Sequence, residues 1–132
     1  MSLIADVIDC LNAEREQVRL PALTPNDLLM QTAREHAEFM DQKQVLSHTG
    51  ADGSTFDQRI RGAGYNFSTA AENVALGAFD AAGVIKLWMN SPPHRANILN
   101  DKVTDVGLGI SPAHPEAAKV SRYWSLSLAA PL

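Results

Sequence analysis

The order of segments in this chain predicts an α+β domain in which helices gather around a small antiparallel sheet. Three observations carry that expectation. Apolar residues recur at helical spacing in four or five separate segments. Clear period-two alternation is confined to two late stretches, Asp105 to Ser111 and Arg122 to Ala129. Those stretches follow the helices instead of alternating with them, which argues against a βαβ chain order. At 132 residues, the whole chain (1–132) has the length of a single domain with one core.

Ile4, Val7, Ile8 and Leu11 fall at i, i+3, i+4 and i+7, so a first helix begins near the N-terminus and ends before Pro21. Thr24-Pro25-Asn26-Asp27 reads as the start of a second: a threonine cap, proline in the first position and an acid in the first turn. That helix is expected to reach Gln42, with Leu29, Ala33, His36, Ala37 and Met40 on one face. Ser47 to Gly53 is small and polar, a loop. Ser54-Thr55-Phe56-Asp57 offers a capping pattern for a short helix that stops at Gly62 and Gly64. Ala71 to Ala75 reads as a short strand.

Asp80 caps a further helix carrying Val84, Ile85, Leu87 and Trp88, with Trp88 expected between the helix layer and the sheet. It must break at Ser91-Pro92-Pro93, because proline clashes with the preceding turn and donates no hydrogen bond. The same residues open a new short helix through Leu99, with Ser91 as cap and Pro92 first. In the final strands Val106, Leu108 and Ile110 alternate with Gly107 and Gly109, and Trp124, Leu126 and Leu128 with Tyr123, Ser125 and Ser127. Glycines on one strand face would let a helix or loop approach closely.

Apolar residues make up 45% of the chain and charged residues 20%, a globular balance large enough to fold without metal or disulfide. Net charge is −4, with six basic and ten acidic side chains in residues 1–66 and five of each in 67–132. No basic stripe is present to neutralise phosphates, which argues against nucleic acid and against docking on anionic lipid. Cys10 is the only cysteine, so no internal disulfide forms; beside Val7 and Leu11 it reads as a packed core thiol. No apolar run reaches transmembrane length. The N-terminus carries no signal-peptide pattern, and Met1-Ser2-Leu3 is a start that a removed leader would also leave.

Of the four histidines, His36 sits on an apolar helix stripe and reads as a hydrogen-bonded core residue. His114, between Ala113 and Pro115, reads as a solvated loop residue. His48 and His94 are different, since each lies where the chain turns. His94 falls at the third position of its helix, where the positive N-terminal dipole favours a neutral ring, the form a metal or a general-base role needs. Glu72, among Ala71, Asn73, Val74 and Ala75, must have a partner, because an unpaired carboxylate is costly to bury. On spacing alone, these three residues read as a structural hydrogen-bond network ahead of a catalytic or metal site.

Three segments in order resemble the bacterial members of the CAP superfamily, the cysteine-rich secretory, antigen and pathogenesis-related proteins with an SCP-like extracellular domain. They are Leu46-Ser47-His48-Thr49-Gly50 with Asp52-Gly53-Ser54; Gly64-Tyr65 with Ala71-Glu72-Asn73-Val74-Ala75; and Trp88 to Leu99, followed by Val106-Gly107-Leu108-Gly109 and Tyr123-Trp124. Leu11-Asn12, Glu14-Arg15 and Leu20 to Leu23 match as well, so the resemblance spans nearly the whole chain. It implies a three-layer α-β-α sandwich, a central antiparallel sheet flanked by helices, with a cleft on one face. In the family that cleft holds two histidines and two acids, which in some members bind a divalent metal such as zinc. His48, Glu72 and His94 match three of the four; Ser91 stands where animal and plant members carry the other acid. The resemblance therefore implies an open three-ligand site, weak and optional for zinc, or a Glu72 that only orients a histidine. The paired cysteines of the animal and plant members are missing, so sterol binding transfers poorly.

Two functions compete. One is a secreted or envelope-associated binding module whose histidine-lined cleft holds a small ligand, lipid or peptide. The other is a metal-assisted hydrolase, in which a metal on His48 and His94 activates water and Glu72 is the base. Ser91, next to proline, reads as a helix cap ahead of a nucleophile. A scaffold with a relic cleft is the third reading.

Overall fold

The computed structural model describes residues 2–112 and 122–132, and His114 lies outside them. Helix α1 (Leu3–Gln17) is capped by Ser2, whose hydroxyl accepts from the Ala5 amide, and buries Val7, Ile8 and Leu11 as their spacing predicts. Helix α2 (Asp27–Lys43) buries Leu29, Ala33, His36, Ala37 and Met40, the predicted face. Helix α3 (Phe56–Gly62) starts from a capping box between Thr55 and Gln58. Helix α4 (Ala81–Met89) is capped by Asp80, and α5 (Pro92–Ile98) begins at the double proline.

Two caps differ from expectation. The α2 cap is Asn26, whose side chain accepts from the Leu28 and Leu29 amides, and Thr24–Pro25 form a short strand β1 instead of the first helical turn. The reason lies outside the segment. Thr24 donates to the Thr104 carbonyl and Asn26 to the Val106 carbonyl, so the chain stays extended through residue 26, and Pro25 sits where no donor is needed. Ser91 occupies the cap position of α5, but its side chain makes no capping bond. Pro92 and Pro93 have no N–H to offer it, which leaves His94 as the first available amide.

The sheet has the order β1-β3-β4-β2. Strands β2 (Phe67–Leu76), β3 (Asp105–Ile110) and β4 (Tyr123–Pro131) pair antiparallel, and β1 joins β3 in parallel. Strand β2 is twice as long as its small central residues suggest, because it runs the full length of β4. Every residue of β4 from Tyr123 to Ala130 is buried, so the sheet is covered on both faces. On one face α1, α4 and α5 enclose Trp88, Trp124, Leu126, Leu128, Val106 and Leu108. On the other, α2 and α3 cover two smaller clusters, Leu29 with Ile60, Tyr65 and Ala129, and Met40 with Val74 and Tyr123. This is an α-β-α sandwich.

Small residues set the close approach of α2. Gly107 lies opposite Ser127, and Gly109 opposite Ser125. Directly opposed residues share a face, so these four form a trough under the helix. A Cβ at Gly107 would sit 2.1 Å from the Leu29 carbonyl carbon, and one at Gly109 2.2 Å from the Ala33 oxygen. Arg15 ties the opposite layer together from a fully buried position. Its guanidinium donates to the carbonyl of Pro21, after α1, and to those of Ile98, Asn100 and Val103, at the end of α5 and beyond. Cys10 is only half-buried against that core, and burial together with Asp6, Asp9 and Glu14 raises its thiol pKa, an unreactive setting.

Candidate functional site

The candidate residues lie along the edge strand β2, His48 and Glu72 on one side of the sheet and His94 on the other. Alternation along this strand sends successive side chains to opposite layers. Glu72 points toward α3 and the loop after α2, while Asn73 points toward α5. Helix α2 ends at Gln44 in the left-handed conformation (φ 53°), which turns the chain into the loop carrying His48. His36 anchors that loop through Nε2 and the Ser47 carbonyl at 2.7 Å, and its ring stacks on Phe39. It is the buried, bonded histidine that its place on the stripe predicts. Burial lowers its pKa, so Nε2–H donates from a neutral ring.

His48 Nδ1 lies 3.0 Å from Glu72 Oε1. Arg59 of α3 reaches the same carboxylate, Nη1 to Oε2 at 2.8 Å and Nη2 to Oε1 at 3.3 Å, and donates to the His48 carbonyl at 2.6 Å. The Glu72 side chain has no solvent exposure, whereas that of His48 is 55% exposed. Burial by itself would raise the Glu72 pKa, but hydrogen bonds from His48 and Arg59 and the Arg59 charge outweigh it and hold the carboxyl below its ordinary value. The hydrogen bond to Glu72 raises the His48 pKa, against the opposing effect of burial. Gly50 gives the guanidinium its room, since a Cβ there would sit 3.0 Å from Arg59 Nε.

His94 arrives from the other layer. Asn73, fully buried, donates to the His94 carbonyl at 3.0 Å and accepts from Asn97 Nδ2 at 2.8 Å. The carbonyls on the free edge of β2 are also partnered: Trp88 Nε1 donates to Val74 at 3.3 Å, and Asn97 lies 3.5 Å from the Glu72 oxygen. These contacts cover the middle of an edge that would otherwise invite another strand. Burial lowers the His94 pKa, and the charge His48 carries when protonated lowers it further. No hydrogen bond links the His94 ring to His48 or Glu72 among those described. His48 and Glu72 are thus in direct contact, and His94 joins them only through its field and through Asn73.

Beside His94 lies a groove of about 220 Å³, lined by Leu46, Leu76, Leu87, Trp88, Ser91 and His94 with Val74 and Ala75 at its base. Leu46, Leu76 and Leu87 are 48%, 40% and 47% exposed, a clustering that soluble domains keep for contacts.

Reading the residues in order did not single out Arg59, Asn73 or Asn97. Arg59 carried no signal, since a basic residue on a short capped helix is ordinarily solvated. Asn73 carried a faint one, as a polar side chain inside a small apolar strand.

The donor set fits a divalent metal poorly. Among the described residues no three His, Cys, Asp or Glu side chains gather as ligands. Both oxygens of Glu72 are engaged by Arg59 and His48, and Ser91 adds no carboxylate. That leaves two imidazoles from opposite layers.

A sheet between two helix layers, with a buried glutamate, an exposed histidine and a second histidine gathered at its edge, defines the class as an edge-cleft α-β-α sandwich. The chain belongs to the cysteine-rich secretory protein (CAP) family, whose model matches residues 8–126, and its bacterial relatives place it in that branch. It is 38% identical over 104 residues to the uncharacterized protein YkwD of Bacillus subtilis, covering 78% of this chain and 40% of that one. An extracellular protein containing a SCP domain from Bacillus anthracis superposes with a TM-score of 0.84 at 24% identity, over 97% of this chain and 40% of that one. An outer surface protein from Borrelia burgdorferi gives the same TM-score, 0.84, at 21% identity, over 100% and 97% of the two chains. At these identities the two superpositions speak for the fold alone. The chain spans only 40% of the length of the Bacillus subtilis relative.

Proposed function

We propose that this domain is an extracellular or envelope-associated binding module whose edge groove takes an apolar group, from a lipid, a peptide or another small ligand. The observation that carries the reading is the gathering of three exposed leucines, Leu46, Leu76 and Leu87, along one groove beside His94 and Ser91. An occupant with an apolar end and a polar end matches the lining: leucines and Trp88 for the first, the His94 ring and Ser91 hydroxyl for the second. The extracellular and outer-surface relatives support the location. No helix among the described residues is long and apolar enough to cross a membrane, and the charge balance offers nucleic acid no basic face.

Titration with a dansyl-labelled fatty acid and with a dansyl-labelled apolar peptide tests the reading. Saturable binding of either probe is expected, with energy transfer from Trp88, and Leu87→Asp should abolish it without lowering the melting temperature. Absence of saturable binding for both probes, or binding that Leu87→Asp leaves intact, would overturn it.

One contact favours a second reading, a hydrolase that works without metal. Glu72 accepts from His48 Nδ1–H and so fixes the tautomer, leaving the Nε2 lone pair on an exposed ring as a general base. Ester hydrolysis lost in His48→Gln but kept in Leu87→Asp would favour this reading over the binding module.

A further inference from the structure

We infer that Arg59 is the resident cation of the cleft, standing where a divalent metal would stand and closing a latent metal site made by Glu72 and His48. The inference is independent of what the groove binds.

A metal ligand must offer an oxygen lone pair at about 2.0–2.2 Å to an ion that can approach it. Glu72 offers none. Its side chain is sealed from solvent, one oxygen faces Arg59 Nη1 at 2.8 Å, and the other is shared by Arg59 Nη2 at 3.3 Å and His48 Nδ1 at 3.0 Å. The guanidinium is itself locked in place. Nη2 donates to the His48 carbonyl at 2.6 Å, and the side chain lies across Gly50, where a Cβ would stand 3.0 Å from Nε. An incoming dication would meet a fixed positive charge and would have to displace a forked, charge-assisted pair.

Arg59 also supplies what a bound cation would supply. It neutralises a carboxylate that could not otherwise stay ionised in a dry setting. It leaves Glu72 free to accept the Nδ1 proton of His48, which sets the ring's tautomer and orientation. Sequence matching alone counts Glu72 as a ligand; the contacts assign it to a protein cation. Removing the positive charge should therefore uncover a carboxylate and an imidazole already 3.0 Å apart.

The test compares wild type, Arg59→Gln and Arg59→Met, using zinc by calorimetry and cobalt(II) by visible absorption. Gln keeps an amide donor for the Glu72 carboxylate and the His48 carbonyl, so it protects the fold where Met does not. Wild type should show no saturable one-to-one uptake in the micromolar range and no zinc-dependent rise in melting temperature. At least one Arg59 variant should gain affinity by roughly tenfold or more, the scale on which a ligand's immediate partner tunes a metal. That variant should also show cobalt absorption bands and melt higher with zinc, and adding Glu72→Gln should erase the gain. Saturable one-to-one zinc uptake by the wild type would overturn the inference. So would a folded Arg59→Gln if neither it nor Arg59→Met gains affinity.

Discussion

His48 and Glu72 form a pair in which one partner is sealed and the other open to water, and this asymmetry has a pH signature. The hydrogen bond to Glu72 raises the folded pKa of His48 above its unfolded value near ~6.5. Stability from the pair is therefore complete below that value and is lost as pH rises through the folded pKa. Glu72, held below its ordinary range, stays ionised throughout this window. His36 and His94 act oppositely, because burial lowers their pKa values and protonation works against the fold as pH falls. The prediction isolates His48. The melting-temperature gap between wild type and His48→Gln should be larger near about pH 5.5 than near about pH 8.5. A gap that widens with rising pH would mean that the fold holds the imidazole neutral and that Glu72 does not favour its charge.

Helix α2 approaches β3 backbone to backbone at Gly107 and Gly109, with the small Ser125 and Ser127 of β4 beside them. Contact at this range makes the glycines sensitive to a single methyl. Gly107→Ala and Gly109→Ala drive a Cβ into helix backbone, which cannot rotate away as a side chain would. Each should cost at least the ~1–3 kcal/mol of ordinary overpacking. Gly62, at the end of α3 with nothing within 4 Å of its Cβ position, is the control. Gly62→Ala should be neutral or stabilise by up to ~1 kcal/mol, through lower entropy of the unfolded chain. Urea unfolding of the three variants separates the positions. Equal midpoints for Gly107→Ala and Gly62→Ala would contradict the close approach of α2.

Across the whole molecule, one buried cation ties α1 to the end of α5 and to the segment leading into β3. Arg15 carries no acidic partner among its described hydrogen bonds and is satisfied by four carbonyls reaching from Pro21 to Val103. Arg15→Met keeps much of the apolar stem and strands those oxygens. The Ile98 and Val103 carbonyls are buried, and each orphan costs ~1–3 kcal/mol, so the variant should lose about 2–6 kcal/mol in urea unfolding. A loss under about 1 kcal/mol would show that water reaches these carbonyls when the guanidinium is gone.

What could be read along the chain was whatever contiguous residues decide. The stripe of α1, the buried face of α2, the capping box of α3, the break at Pro92 and the glycine face of β3 are local, because periodicity and caps act within a few residues. The family was legible through ordered motifs, and the contact of His48 with Glu72 bears out the demand that a buried carboxylate find a partner. Tertiary structure decided the rest. Pairing with β3 holds residues 24–26 extended and moves the α2 cap from Thr24 to Asn26, since a backbone in a sheet cannot also begin a helix. The period of two along β2 sends Glu72 and Asn73 to opposite layers, so His94 is reached through Asn73 while Glu72 is claimed by Arg59. Nothing local marks that last pairing. Charge attraction acts through space, and only the fold determines which cation a buried carboxylate meets.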